Sequence, residues 1–81
     1  MNDSEIKDRL ILALTQIAPE AQDELIEDME NLQDQLDLDS VDIMNYIIKV
    51  QDIFNIQISN KDYSNFLSVD AGVRCVQKYL S

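Results

Sequence analysis

The sequence predicts an all-α domain, a small bundle of helices, on three observations. The chain of 81 residues has one glycine and one proline, so it lacks the turn formers that a fold of many strands needs. Apolar residues make up 46% of it, enough for a core and too many for a disordered tail. They recur at spacings of three and four, the period of an amphipathic helix. This length holds one core, so we treat residues 1–81 as a single domain.

The first predicted helix covers residues 4–17. Ser4 stands at the N-cap position, and acidic side chains follow in the first turn, where the helix dipole favours them. The helix should end before Pro19, because the residue that precedes a proline avoids the α region. The apolar stripe of this helix comprises Ile6, Leu10, Leu14 and Ile17.

Residues 19–39 give two conflicting signals. Four apolar residues with helical spacing predict a second long helix here, whereas a high density of acidic side chains opposes one through like-charge repulsion. The four apolar residues are Leu25, Met29, Leu32 and Leu36. Periodicity alone predicts a helix, and the acidic side chains leave that prediction open.

The clearest helical pattern covers residues 40–54. At 100° per residue, its apolar side chains fall into two groups. The group predicted to face the core is Ile43, Tyr46, Ile47, Val50 and Phe54. The other group, about a third of a turn away, is Val41, Met44 and Ile48, which we call the outer strip. Ser40 stands at the N-cap position between Asp39 and Asp42, and Asn55 suits a left-handed C-cap.

The last third of the chain predicts two further elements. After an extended connector that places Ile56 and Ile58 in the core, residues 61–67 should form a short helical turn with Tyr63 and Phe66 inward. Ser68 should then cap a helix over residues 69–80. Its apolar stripe comprises Val69, Val73, Val76 and Leu80.

The charge of the chain restricts its partners. A net charge of −10 leaves no basic patch for nucleic acid or an anionic membrane surface, and favours partners that present Lys and Arg. No apolar run is long enough to span a bilayer, and the acidic start does not resemble a signal peptide. The single cysteine excludes an intrachain disulfide and fits a reducing compartment. We therefore expect a cytoplasmic protein.

Catalytic and metal sites find little support in the sequence. The chain has no histidine and no glycine-rich loop, so it lacks the usual general base and a nucleotide cradle, and we expect no enzyme. A calcium loop that started at Asp37 would put Val41, Asp42 and Ile48 at positions that need other residue types, so no metal site is predicted. Cys75 is interpreted as a structural cysteine.

Ser40 is the remaining candidate. A serine at a helix start can be a simple cap, but its exposed hydroxyl in a positive backbone field also suits a phosphate. Asp39-Ser40-Val41-Asp42, preceded by Leu36 and Leu38, resembles the attachment motif of acyl carrier proteins. That family's pattern reads Leu-Gly-x-Asp-Ser-Leu-Asp, and its next helix ends in Phe-Gly-Ile-x-Ile. Phe54-Asn55-Ile56-Gln57-Ile58 matches this helix end, and Ser68-Val69-Asp70 matches the opening of the family's last helix.

The resemblance implies an acyl-carrier-like four-helix bundle, with three principal helices, one short helix and a long loop between helices one and two. With the acid density, it favours a loop for residues 19–39, with a helical turn near residues 21–27 and with Leu32 and Leu36 anchored in the core. It also implies a 4′-phosphopantetheine arm on Ser40 that carries acyl groups as thioesters. The core-facing residues of the helix over residues 40–54 would then line an acyl pocket.

The implied partners are a phosphopantetheinyl transferase and acyl-transfer or synthase enzymes with basic surfaces, which would act on a monomer. Asp39, Asp42 and the outer strip would form the recognition surface. The chain departs from the family pattern at Asp37, which replaces a glycine, and at Asn45, where a glutamate is usual. Its recognition helix is less acidic than that of a housekeeping fatty-acid carrier, so we predict a specialised carrier in fatty-acid or related lipid metabolism. An aminoacyl or peptidyl carrier and a non-carrier acidic interaction module remain alternatives.

Overall fold

A computed structural model describes residues 1–23 and 25–81, and within these ranges it is all-helical. Its α-helices are α1 (Asp3–Ile17), α2 (Leu32–Leu36), α3 (Ser40–Phe54) and α4 (Val69–Leu80). Two 3₁₀ helices cover Pro19–Asp23 and Asn60–Leu67. The fold therefore confirms a small helical bundle with three principal helices.

The core lies between α1, α3 and α4. Helix α1 packs against both of the others, and the second 3₁₀ helix closes the space between α3 and α4. Tyr46 of α3 and Phe66 of the second 3₁₀ helix meet edge to face at the centre, with ring centroids 6.2 Å apart. The largest fully buried side chains are Tyr46, Phe66, Ile6, Leu10, Leu14, Leu32, Ile47, Val50, Val69 and Val76.

Helix α1 begins one residue earlier than predicted, and its N-cap is Asn2. The Glu5 amide donates to Asn2 Oδ1 at 2.8 Å, so the predicted cap Ser4 lies inside the first turn. Asparagine is at least as good a cap as serine, and the position of the first packed turn decides between them. The predicted end at Ala18 and Pro19 is confirmed.

The long loop contains more structure than predicted. The helical turn expected at residues 21–27 is present only as the end of the first 3₁₀ helix, since residues 25–27 are irregular and Glu24 lies outside the described residues. The five-residue helix α2 was not predicted. Leu32 and Leu36 anchor it in the core as expected, whereas Leu25 and Met29 are 88% and 73% exposed. The prediction of a continuous apolar stripe in residues 19–39 is therefore wrong at Leu25 and Met29.

Hydrogen bonds fasten this loop to the helices around it. The Gln35 side chain accepts from the Glu27 amide and donates to the carbonyls of Glu27 and Glu30. Asp28 accepts from Lys7 Nζ through its carboxylate at 2.9 Å, and from the Asp70 amide through its carbonyl at 2.9 Å. The loop is thus held to α1, α2 and α4 by specific contacts.

The elements after α3 largely follow prediction. Asn55 has φ 53° and ψ 49°, as a left-handed C-cap requires, and Ile58 is buried while Ile56 is half-buried. The second 3₁₀ helix buries Phe66 and half-buries Tyr63. Ser68 Oγ accepts from the Ala71 amide, which confirms the cap of α4. The predicted stripe of α4 fails at its last member, because Leu80 is 40% exposed.

Candidate functional site

The N-cap of α3 is Asp39, and Ser40 is the first residue of the helix. Asp39 Oδ1 accepts from the Asp42 amide at 2.9 Å, and Asp42 Oδ2 accepts from the Asp39 amide at 3.2 Å. These two bonds form a capping box. The prediction that Ser40 is the cap is therefore wrong, because the neighbouring aspartate satisfies the same orphan amide and is itself satisfied in return.

Ser40 is consequently exposed, and within the described residues its hydroxyl has no hydrogen-bonding partner. The amides of Ser40 and Val41 lie in the first turn of α3, where the helix has no carbonyl one turn earlier to accept from them. The α3 dipole adds a partial positive charge at this end. An anion on the Ser40 oxygen would therefore meet two unshared donors and a favourable field, beside the unfavourable carboxylates of the capping box.

The connection from α2 to α3 fixes the position of Ser40. Asp37 ends α2 in the left-handed conformation, with φ 54° and ψ 46°, and the Leu38 amide donates to the Gln33 carbonyl at 3.2 Å. Leu36 and Leu38, on either side of this turn, are both buried. Buried leucines on both sides of the turn at Asp37 therefore anchor the segment that leads into Ser40.

A surface groove starts beside Ser40 and runs between α3 and the second 3₁₀ helix. We call this cavity of about 220 Å³ the Ser40 groove. Its lining is mainly apolar and comprises Gln33, Ser40, Ile43, Met44, Ile47, Tyr63, Ser64 and Leu67. Ser64 and Leu67 share one face of the 3₁₀ helix because it has three residues per turn. The groove offers an apolar ligand a place next to the candidate attachment residue.

The five residues predicted to face the core from α3 are all buried, but they do not form one surface of the groove. Ile43 and Ile47 line it, whereas Tyr46, Val50 and Phe54 lie in the core and do not. Sequence reasoning missed the opposite wall, to which Tyr63, Ser64 and Leu67 contribute. The spacing of Ser64 and Leu67 was the signal that could have found this wall.

The outer strip is exposed, as predicted. Val41, Met44 and Ile48 are 64%, 39% and 48% exposed, and Met44 also forms part of the groove. Asp39 is exposed and Asp42 is half-buried at the same end of α3. Apolar and acidic groups therefore share the solvent face that runs along the helix from Ser40.

Two titratable side chains are perturbed by burial. Burial raises the pKa of Tyr46 far above the ordinary range of a tyrosine, and within the described residues its hydroxyl has no hydrogen-bonding partner. Burial also raises the pKa of the Cys75 thiol, against a smaller opposing effect of the hydrogen bond from Asn65. A raised pKa keeps Cys75 protonated at neutral pH, which fits the structural role that the sequence predicts.

A search of the described residues for metal ligands finds no cluster of three or more His, Cys, Asp or Glu side chains that could hold an ion. Among the helices of the described chain, none is long and apolar enough to cross a membrane. Comparison of the chain with protein-family models, with curated proteins and with solved structures finds no match.

Proposed function

We propose that this chain is an acyl carrier protein that holds acyl groups as thioesters on a 4′-phosphopantetheine arm attached to Ser40. The observation that carries the proposal concerns backbone conformation. In the described part of the chain, two non-glycine residues have positive φ, Asp37 and Asn55. They occupy the two positions at which the acyl-carrier pattern has glycine.

Glycine is the residue that adopts this conformation without steric cost, and Asp and Asn are the next most tolerant. Asp37 and Asn55 do not match the pattern in sequence, because each stands where the pattern has glycine. The backbone nevertheless makes the turns for which those glycines are needed, one before Ser40 and one after Phe54. This agreement in backbone conformation adds to the residue matches that first suggested the family, and it supports the resemblance at two positions where the pattern has glycine and this chain does not.

The surroundings of Ser40 fit the attached group. The hydroxyl is exposed to an incoming transferase, and the unshared amides of Ser40 and Val41 can stabilise a phosphodiester. In the attachment reaction, Ser40 Oγ forms a bond to the phosphorus that carries pantetheine, the pyrophosphate bond of coenzyme A breaks, and adenosine 3′,5′-bisphosphate departs as the leaving group. The hydroxyl proton passes to a base of the transferase. The arm, once attached, supplies the thiol that carries the acyl group.

The chain's own contribution is shelter and recognition. The Ser40 groove lies within reach of a folded-back arm, and its apolar walls at Ile43, Ile47 and Leu67 suit an acyl chain. The acidic end of α3 would steer enzymes with basic surfaces, while the outer strip supplies the apolar part of the contact. The phosphopantetheinyl transferase would use the same surface.

The decisive experiment is modification by a transferase. The purified chain is incubated with coenzyme A, Mg²⁺ and a phosphopantetheinyl transferase of broad specificity, and its intact mass is measured. We expect a gain of about 340 Da in the wild type and none in Ser40→Ala. Ser4→Ala is the matched control, because this exposed serine in the first turn of α1 should leave the gain unchanged. Absence of a gain in the wild type contradicts the proposal.

The composition of α3 suggests which pathway the carrier serves. Asn45 and Lys49 are exposed on α3, and Asp52 is the one acidic residue in its second half. We therefore propose a specialised carrier that general fatty-acid synthesis enzymes recognise poorly. Efficient replacement of the housekeeping carrier in a reconstituted fatty-acid synthase would contradict this. An aminoacyl or peptidyl cargo would appear as preferential loading by an adenylating enzyme.

A second candidate function follows from the exposed outer strip. Three apolar side chains beside two carboxylates also suit a non-carrier interaction module that binds a basic amphipathic partner. In that case the transferase would leave the mass unchanged, and Ser40→Ala would bind the same partner as the wild type.

A further inference from the structure

The core holds a polar group that the fold itself does not use. Tyr46 is fully buried, yet no protein group in the described chain forms a hydrogen bond with its hydroxyl. Leaving such a donor unsatisfied is unfavourable, and most buried polar side chains have a partner. Packing needs only the ring of Tyr46, which meets Phe66 edge to face. A phenylalanine would make the same ring contact without the cost of the hydroxyl.

The location of Tyr46 connects this hydroxyl with the Ser40 groove. Ile43 lies one turn before Tyr46, Ile47 directly follows it, and both line the groove. Across the groove, Leu67 lines the wall and directly follows Phe66, the aromatic partner of Tyr46. The Tyr46–Phe66 pair therefore lies in the core beside residues of both walls, and contact between the pair and a ligand would require the walls to part.

We propose that the Tyr46 hydroxyl donates a hydrogen bond to the cargo, so that the protein prefers an acyl group with an oxygen substituent over a plain saturated chain. The inference rests on the proposed carrier function and specifies its cargo. The acceptor is a ketone or hydroxyl oxygen along the acyl chain. Burial keeps the Tyr46 phenol protonated, so it remains a donor over the whole physiological pH range.

A plain saturated chain would leave the Tyr46 hydroxyl unsatisfied in the loaded protein. An oxygenated chain would satisfy it and would also keep its own oxygen from being buried without a partner. The two effects have the same sign, so Tyr46 acts as a specificity-determining residue and takes no part in any bond-making step.

The test is a comparison of cargoes in two proteins. Wild type and Tyr46→Phe are loaded from acyl-coenzyme A by a broad-specificity transferase, with octanoyl or with octanoyl that carries one ketone at carbon 3, 5 or 7. Intact mass confirms loading, and thermal unfolding gives the midpoint of each form. For each protein, the unfolding midpoint of the octanoyl form is subtracted from that of the ketone form. For at least one ketone position we expect this difference to be about 4–8 °C larger in the wild type than in Tyr46→Phe, because one hydrogen bond has about this effect in a domain of this size.

Tyr79→Phe is the matched control, because the Tyr79 hydroxyl already donates to Asp62 at 2.6 Å and lies outside the groove. It should retain the full ketone-dependent gain. Equal gains in wild type and Tyr46→Phe overturn the inference while leaving the carrier function intact. So does loss of the gain in Tyr63→Phe, which would assign the contact to the groove wall. Absence of loading in the wild type overturns the carrier function and the inference with it.

Discussion

Because Asp39 caps α3, we predict that Asp39 contributes to the stability of the fold and that the neighbouring Ser40 does not. Asp39→Ala removes the acceptor of the Asp42 amide and leaves the reciprocal bond from the Asp39 amide to Asp42 Oδ2 without its counterpart. Ser40→Ala removes a hydroxyl that has no hydrogen-bonding partner within the described residues. Two neighbouring alanine substitutions should therefore differ sharply in stability.

The magnitudes follow from the two roles. Loss of an N-cap side chain costs about 1 kcal/mol, within a range of roughly 0.5–2 kcal/mol. In a domain of this size that corresponds to a fall of about 4–8 °C in the unfolding midpoint. A substitution at an exposed residue without such a contact stays within about 0.5 kcal/mol, so Ser40→Ala should unfold like the wild type.

The assay is urea unfolding followed by far-ultraviolet circular dichroism, with thermal melts of the same samples. Asp39→Asn is the control for charge, since asparagine keeps the cap but removes one of the negative charges that make up the net charge of −10. We expect Asp39→Asn to stay close to the wild type and Asp39→Ala to fall below both. If Ser40→Ala loses as much stability as Asp39→Ala, then Ser40 caps the helix and the reasoning is refuted.

Three further predictions concern stability. At the left-handed C-cap, Asn55→Gly should stabilise the protein by about 0.5–1 kcal/mol and Asn55→Ala should destabilise it by about 1 kcal/mol. If denaturant unfolding shows changes in stability of the same sign for both variants, the assigned conformation is contradicted. At the end of the first turn of α4, a Cβ at Gly72 would lie 3.2 Å from Leu10 Cδ1 and 3.4 Å from Phe66 Cδ1. The gain of about 1 kcal/mol in helix propensity should therefore roughly cancel the crowding in Gly72→Ala, whereas Gly72→Val should lose about 2–3 kcal/mol on urea unfolding. Finally, the folded-state pKa of Tyr46 lies above the unfolded value of 10.0, so its contribution to stability is complete below pH 10 and is lost as the pH rises above it. Above pH 10, the free energy of unfolding should therefore fall less steeply with pH in Tyr46→Phe than in the wild type, and the two slopes should differ by about 1.4 kcal/mol per pH unit. Parallel curves of unfolding free energy against pH would show that Tyr46 is not buried as a neutral phenol.

The elements that the sequence predicts well are those in which one signal dominates. In α3 the helical period separates five buried residues from the three of the outer strip, and both groups lie where predicted. The helical period predicts burial of Leu80 wrongly, because it gives the direction of a side chain but does not show whether a neighbouring element extends far enough to cover it. It fails at Leu25 and Met29 because the 3₁₀ helix Pro19–Asp23 and the irregular residues 25–27 replace part of the helix that the spacing assumes.

Two of the three predicted caps, Ser4 and Ser40, were misplaced for one reason. Both are serines, and in each case a better cap lies one or two residues earlier, at Asn2 and Asp39. The sequence contained the signal, since an acidic residue follows each true cap at the third position, as a capping box requires, and neither serine has one. The same inspection would have found Asn31, whose side chain accepts from the amides of Gln33 and Asp34 and starts α2.

The corrected cap removes one of the two interpretations of Ser40, that of a simple helix cap. A serine that caps a helix has its oxygen committed to a backbone amide, so attachment of a phosphate there would compete with folding. Because Asp39 and Asp42 satisfy each other's amides, the Ser40 hydroxyl is left exposed in the dipole field of a helix that does not need it. The residue that positions the helix and the residue that would carry the cargo are adjacent but distinct. A substitution at Ser40 can therefore abolish attachment in a protein that still folds, which makes the mass measurement a test of function alone.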